Sequence, residues 1–280
     1  MGIKIITDSC SDLPQKVIEK YNIGVVPLEI RFGDKNYLDS IEITKNEFYD
    51  MMKEYNELPK TASPSPQQFI SEFEKSDDNI LVITISSGLS GTYNSAMIAK
   101  EIYEKDNKHK KIHVIDSLSA SVGEGLIALK AAQKASEGID IDELAESLRK
   151  SSKEVQVFFL LETLDNIVKG GRIGKVTGKI ASLLSIKLIM KSDGNGIVDL
   201  AEKIRGSNRA FNRLIEIIGE NSSNLENKIL AIAHANCYAK ALEFKKRVEE
   251  RYKFKQVITS TIGATIGTYS GEGGLLISFL

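Results

Sequence analysis

Three serines, two glycines and a threonine crowd seven positions, Ser86-Ser87-Gly88-Leu89-Ser90-Gly91-Thr92. Hydroxyls and free backbone N–H groups at that density suit a carboxylate or a phosphate. A helix cap also draws on Ser, Thr and Gly. The stretch holds more of them than a cap needs, so it reads as a ligand loop. A second hydroxyl-bearing segment, Lys60-Thr61-Ala62-Ser63-Pro64-Ser65-Pro66, begins just after Pro59. Proline stiffens such a loop and drives the preceding residue to extended backbone. One reading is a rigid loop presenting the Thr61 hydroxyl. The other is a helix lead-in with Ser65 as cap and Pro66 as first helical residue. The two readings are compatible, because the cap needs only Ser65 and Pro66.

Other reactive groups lack partners at the right spacing. A serine hydrolase built on Ser90 would show Gly-x-Ser-x-Gly, and Gly88-Leu89-Ser90-Gly91-Thr92 lacks the last glycine. A triad needs a histidine. His109 sits in the charged stretch 105–111, His113 lies inside a strand, and only His234 ends one. A structural role for His234 is the plainer reading. Asp8, Asp12 and Asp116 follow no metal-binding signature. Asp12 reads as a helix cap, and Asp8 and Asp116 as organisers of loop backbone. Lys169-Gly170-Gly171-Arg172-Ile173-Gly174-Lys175 fails the phosphate-loop pattern, because Lys169 stands where its first glycine belongs and Val176 follows Lys175. It is a solvated basic turn or a cationic loop for a phosphorylated ligand or a partner. Arg205, at a strand end, is the better candidate for pairing a buried anion, and Arg209 reads as surface.

The elements that must position these groups follow from periodicity. Ile80 to Ile85 is a short β-branched run bounded by turn residues, hence a buried strand. Helical spacing begins at Thr92, so the serine-rich loop joins a strand's carboxyl end to a helix, where open α/β sheets place ligands. Ile3 to Ile6 is a strand and 12–21 a helix. Ile23 to Arg31 reads as a second strand, and Thr44 with Glu47 as a capping box. Ile112 to Ile115 is a strand that ends at the polar loop Asp116-Ser117. Helices are predicted over 121–136 and 141–151. This alternation predicts an α/β domain over residues 1–153, a mainly parallel sheet with helices on both faces. From 154 to 280 the pattern becomes α+β. It has a strand over 155–161, a short helix over 164–169 and a hairpin around Gly194-Asn195-Gly196. Helices at 207–220 and 239–251 follow, with strands at 228–234, 256–260 and 275–279.

Composition bounds the function. With 280 residues, 42% apolar and 27% charged, the chain has the make-up of a globular protein. A net charge of −1 gives no basis for a nucleic-acid partner. Cys10 and Cys237 have no metal-type spacing and suit a reducing compartment. The opening run reads as a strand without a signal peptide's apolar core, and no stretch approaches the ~20 apolar residues of a membrane span. The expectation is a cytoplasmic protein.

Taken together these segments resemble the DegV family, which includes the FakB subunits of bacterial fatty acid kinase. The matching pieces are Thr7-Asp8-Ser9-Cys10-Ser11-Asp12-Leu13, Lys60-Thr61-Ala62-Ser63-Pro64, Ser86 to Thr92 and Asp116-Ser117. They continue with Lys169-Gly170-Gly171-Arg172-Ile173, Ala233-His234-Ala235-Asn236 and the glycine-rich carboxyl end. The resemblance implies a two-domain α/β protein that buries a long-chain fatty acid such as palmitate. It also implies presentation of the acid's carboxyl group to an ATP-dependent fatty acid kinase, with the acyl phosphate passed on to phospholipid synthesis. On this pattern Thr61 and Ser90 hydrogen-bond the carboxylate, Arg205 stands near that network, and Arg172 meets the kinase. Ser87, Gly91, Thr92 and Ser117 support the loops. Tyr269, in Gly267-Thr268-Tyr269-Ser270-Gly271, stands where family members carry a histidine. A phenol donates a hydrogen bond but stays neutral at pH 7. The first loop also departs from the family's Thr-Ser-Gln-Pro while keeping Thr61.

The expectation is therefore a lipid carrier without a catalytic set, cofactor or metal of its own. The alternatives are a small hydrolase or phosphotransferase using Ser90, and a fatty acid sensor that works without a kinase.

Overall fold

A computed structural model describes residues 2–55, 57–173 and 186–280. Its first element, β1 (Ile3–Asp8), leads through a 3-10 turn at Ser9–Ser11 to α1 (Gln15–Tyr21) and β2 (Gly24–Val26). β3 (Glu29–Phe32), β4 (Lys35–Leu38), α2 (Lys45–Glu54), β5 (Lys60–Ala62) and α3 (Pro66–Phe73) come next. β6 (Asn79–Thr84), α4 (Thr92–Asp106), β7 (Ile112–Asp116), α5 (Val122–Ser136) and α6 (Ile141–Glu154) complete this stretch. The order β2-β1-β6-β7 makes a four-stranded sheet in which every pair is parallel. Alternate residues serve its two faces, as the pleat requires. Ile6, Ile80 and Val82 pack under α3 and α4 with Phe69, Phe73, Ala96 and Ala99. Ile5, Leu81 and Ile83 pack under α5 and α6 with Leu126, Leu129 and Leu144. A small antiparallel sheet, β4-β3-β5, stands beside it.

The rest of the chain builds a mixed sheet. β8 (Gln156–Leu160) is followed by α7 (Asp165–Lys169), and β9 (Ile186–Ser192) and β10 (Val198–Arg205) form the hairpin. α8 (Ser207–Glu220), β11 (Ile229–His234), α9 (Tyr238–Arg251), β12 (Gln256–Thr261), α10 (Ala264–Ser270) and β13 (Leu275–Phe279) follow. The strand order is β10-β9-β8-β13-β11-β12, with only the β11–β12 pair parallel. One face packs on α8 and α9 through Leu214, Ile218, Phe244 and Val248. The other turns Val157, Phe159, Ala231 and Leu276 towards α5. Among the described residues, no strand pairing joins 2–153 to 154–280; side chains do, and α5 lies between the two large sheets. Its run Val122–Leu129 is wholly buried. Small residues let the layers close on it: a Cβ at Gly125 would stand 2.5 Å from the Ser11 carbonyl oxygen.

Local signals appear where the sequence places them. Thr44–Glu47 and Ser65–Gln68 both form complete capping boxes, with Pro66 in the first turn of α3. Three readings change. The run 23–31 is two strands, because Pro27 supplies no N–H to a ladder, and the chain crosses there from the parallel sheet to the small one. Lys60–Ala62 is a strand of that small sheet, with Thr61 opposite Ile30. Asp12 does not cap the start of α1: it closes the 3-10 turn in left-handed backbone at φ 48°, and α1 starts only after Pro14. Its carboxylate instead accepts from Ser121 Oγ at 2.5 Å and Gly263 N at 2.6 Å, tying β1 to the start of α5 and the end of β12.

Burial raises the Asp12 carboxyl from 3.8 to about 6, against the opposing pull of Lys45 and these hydrogen bonds. A carboxyl raised on folding adds stability that is full below 3.8 and lost as pH climbs through about 6. Two units correspond to about 3 kcal/mol. Chemical denaturation of wild type and Asp12→Asn should therefore show a wild-type advantage that is largest near pH 4 and shrinks towards pH 7. A difference independent of pH would contradict the buried-carboxyl account.

Candidate functional site

A cavity of about 930 Å³, counting its open mouth, lies where the ends of β6 and β7 meet the second sheet, the hairpin and α10. Leu28, Ile85, Val157, Phe159, Ile266 and Leu276 give it a long apolar wall. Thr61, Ser90, Arg172 and Tyr269 also line it, and their contacts place them together. Thr61 Oγ1 and the Tyr269 hydroxyl are 2.6 Å apart. Ser90 Oγ is 3.1 Å from Ser63 Oγ and 2.9 Å from Thr92 Oγ1. The Arg172 guanidinium lies over the Tyr269 ring, 5.1 Å from its centroid. Its Nε donates to Leu89 O at 3.4 Å and its Nη1 to Gly170 O at 2.6 Å. Of the other hydroxyls in the wall, Ser192 donates to Leu118 O at 3.3 Å, Thr265 to Asp39 at 2.6 Å, and Ser270 to Gly271 O at 3.3 Å.

Several parts of the chain hold this polar end in place. Asp8, fully buried at the end of β1, accepts from Ile85 N at 2.8 Å and Cys10 N at 2.9 Å. It thus anchors the chain one residue before the serine loop. Burial raises its carboxyl to about 6. Glu124, beneath it on α5, is pushed well above the usual range by burial and then by the Asp8 charge. The Thr7 hydroxyl donates to Glu124 Oε1 at 2.8 Å. Asp116 accepts from Ser87 N at 3.2 Å and Leu118 N at 2.9 Å, which closes the next loop over the serines. The hairpin tip docks on both loops: a Cβ at Gly196, where φ is 80°, would meet Ser86 Oγ at 2.0 Å.

The structure thus brings Thr61, Ser90, Tyr269 and Arg172 to one place. Ser87 is exposed and enters through its backbone N–H. Gly91 caps α4 against Ser63, buried Thr92 meets Ser90, and Ser117 bonds both ways with Ser119. Arg205 is the exception. It is exposed and absent from the cavity wall. β10 carries it seven residues from Val198, which does line the cavity, and ~3.3 Å per residue makes that roughly 23 Å. Arg172, read as a partner contact, is the cation that stands beside the hydroxyls. Gly174 and Lys175 of its basic turn lie outside the described residues.

Among the described residues no base faces Ser90, whose side-chain partners are hydroxyls. His234 Nε2 lies 3.3 Å from Thr261 Oγ1, and burial lowers its pKa, followed by the Lys45 charge. His113 pairs with Asp142 at 2.7 Å. The apolar wall was hidden in sequence inside strands that read as core. Its only signal is the pleat, which turns Val157 and Phe159 inward while Phe158 and Leu160 face the helices. The site as built can hold an amphiphile: an apolar tail in the cavity and an anionic or polar head against hydroxyls and a guanidinium.

The comparisons agree with that shape. The family model described as "Uncharacterised protein, DegV family" matches residues 2–280. Protein DegV of Bacillus subtilis is 32% identical over 279 residues, covering 98% of each chain. A DegV family crystal structure from Ruminococcus gnavus, refined with vaccenic acid, superposes with TM-score 0.92 at 34% identity, covering 99% of each chain. The fatty acid kinase B3 protein of Streptococcus pneumoniae, loaded with linoleic acid, superposes with TM-score 0.89 at 30% identity, covering 100% of this chain and 99% of that one.

Gly170 tests the packing of the polar end. Its backbone, at φ −73° and ψ −15°, would accept alanine, and such a change ordinarily stabilises by about 0.4–1 kcal/mol. Here the added Cβ would fall 2.4 Å from the Tyr269 ring. Gly170→Ala should therefore lower stability by about 1–3 kcal/mol in urea denaturation. A gain in stability would show that the ring is not confined.

Proposed function

The chain belongs to the DegV family, and on that premise we propose that it binds a long-chain fatty acid and presents its carboxyl group to an ATP-dependent fatty acid kinase. The observation that carries the reading is the clustering of Thr61, Ser90, Tyr269 and Arg172 on the wall of an otherwise apolar cavity. Burying a palmitate-length chain at ~0.8 kcal/mol per methylene gives a gross gain on the order of 10 kcal/mol. The head must then be paired, because an isolated buried carboxylate is costly. Hydroxyl donors and a guanidinium meet that need. Tyr269, in the family histidine's place, gives its phenol to the same network.

The proposed chemistry needs no base on this chain. A carboxylate oxygen, already deprotonated, attacks the γ-phosphorus of ATP on the kinase. The new O–P bond forms as the bond to the β-phosphate oxygen breaks, and ADP leaves with that electron pair. The carrier's part is to orient the carboxylate and keep the tail out of water. Arg172, at the head end and exposed, is the residue placed to meet both the carboxylate and the kinase. Support comes from the Streptococcus pneumoniae relative, a fatty acid kinase protein loaded with linoleic acid.

Organic extraction and native mass spectrometry of the purified chain should release one fatty acid per protein. Thr61→Ala and Ser90→Ala should each weaken binding about 10- to 150-fold, the range for a lost hydrogen bond to a charged group. A chain that neither carries nor takes up long-chain acids ends the lipid reading and returns Ser90 to tests with ester and phosphorylated substrates. Binding without ATP-dependent phosphorylation by the kinase would leave a sensor.

A further inference from the structure

Helix α10 supplies Thr265, Ile266, Tyr269 and Ser270 to the cavity wall, yet its sequence does little to hold it. It is seven residues long, contains Gly267 and two threonines, and begins at Gly263, which has no capping side chain. The orphan N–H groups of its first turn need acceptors from elsewhere. They find them in residues more than 200 positions away. Gly263 N donates to Asp12 Oδ1 at 2.6 Å. Ala264 N donates to Asp39 Oδ1 at 3.3 Å and Thr265 N to Asp39 Oδ2 at 2.9 Å. The Thr265 hydroxyl donates to the same Oδ2 at 2.6 Å.

Asp39 is 1% exposed and follows β4. Its own N–H donates to Leu28 O at 2.9 Å, and Ser40 Oγ donates to its Oδ1 at 3.1 Å. The carboxylate thus accepts four hydrogen bonds, three of them from α10, and acts as a helix cap supplied from another sheet. Tyr269 lies five residues beyond Ala264, about 7.5 Å along the axis. A tilt at the cap moves the phenol at the far end. Close packing of Gly267 on Phe48 and Tyr49 holds the middle of α10, while the cap sets its first turn.

We infer that Asp39 is a positioning residue for head-group recognition: by capping α10 in trans it sets the Tyr269 hydroxyl beside Thr61 and so gives the cavity its preference for an acid over a neutral chain. This rests on the fatty-acid reading. Asp39 itself is not part of the cavity wall. Asparagine at this position would keep the shape but turn one acceptor oxygen into a donor facing donors.

The test compares the affinities of the full chain for palmitic acid and for hexadecanol. Wild type should prefer the acid. Asp39→Asn and Tyr269→Phe should each reduce that preference by about 5- to 20-fold, the effect of a misplaced hydrogen bond to a charged group. The double variant should lose no more than the larger single loss, because both act through one hydroxyl. An unchanged preference in Asp39→Asn, or losses that multiply in the double variant, overturns the inference while leaving the lipid reading intact. If Asp39→Asn does not fold, Thr265→Val, which removes one donor to Asp39, should lower the preference in the same direction. An unchanged ratio there overturns it equally. A wild type without preference for the acid removes both the head-group reading and this inference.

Discussion

Buried carboxylates in the seam between the sheets govern this structure. A buried charge without partners costs several kcal/mol, so each one binds whatever N–H groups it can reach and holds the loops that carry them. Asp8 secures the chain at Ile85, just before the serine loop. Asp12 ties the start of α5 to the loop after β12. Asp39 takes the first turn of α10. Each lies in residues 8–39, and two of the three reach across to residues 263–265. The cavity's polar end is assembled by these ties rather than by any one element.

The same seam explains why α5 is built as it is. A helix between two sheets is buried nearly all round, and its Gly-Glu-Gly-Leu-Ile-Ala run supplies close approach on both sides. Gly125 admits the Ser11 carbonyl, while Glu124 shares the burial of Asp8, and that burial and then the Asp8 charge raise its pKa. The cost of this polar seam is met by hydrogen bonds that fix register between the layers. Large apolar residues on the outer faces of both sheets supply the hydrophobic term: Phe69 and Phe73 on one, Phe244 and Phe279 on the other.

The cavity wall is apolar except for one polar end. Among the described residues Ser90 has hydroxyl neighbours and no base, and the Arg172 guanidinium lies over the Tyr269 ring at the exposed end. Hydroxyl donors and a guanidinium together suit an anionic group.

Much of this was legible from near neighbours alone. The strand, serine loop and helix over 79–106, the capping boxes at Thr44 and Ser65, and the hairpin turn at Gly194-Asn195-Gly196 depend on hydrogen bonds and periodicities within a few residues. A linear sequence displays those. The order of motifs along the chain also displayed the family, and with it Thr61, Ser90, Arg172 and Tyr269. What local pattern could not show is decided by contacts across the chain. Asp12 looks like a helix cap until Gly263 is folded against it. Arg205 looks like an anion's partner until the antiparallel hairpin carries it out to solvent. Helix α10 has too little propensity to be seen, because its cap lies 225 residues away in Asp39. Sequence determined which groups were available and which short elements they ride on. Only the tertiary structure decided which of them share one dry pocket, because that depends on how two twisted sheets stack on one helix and on which buried charges must find donors there.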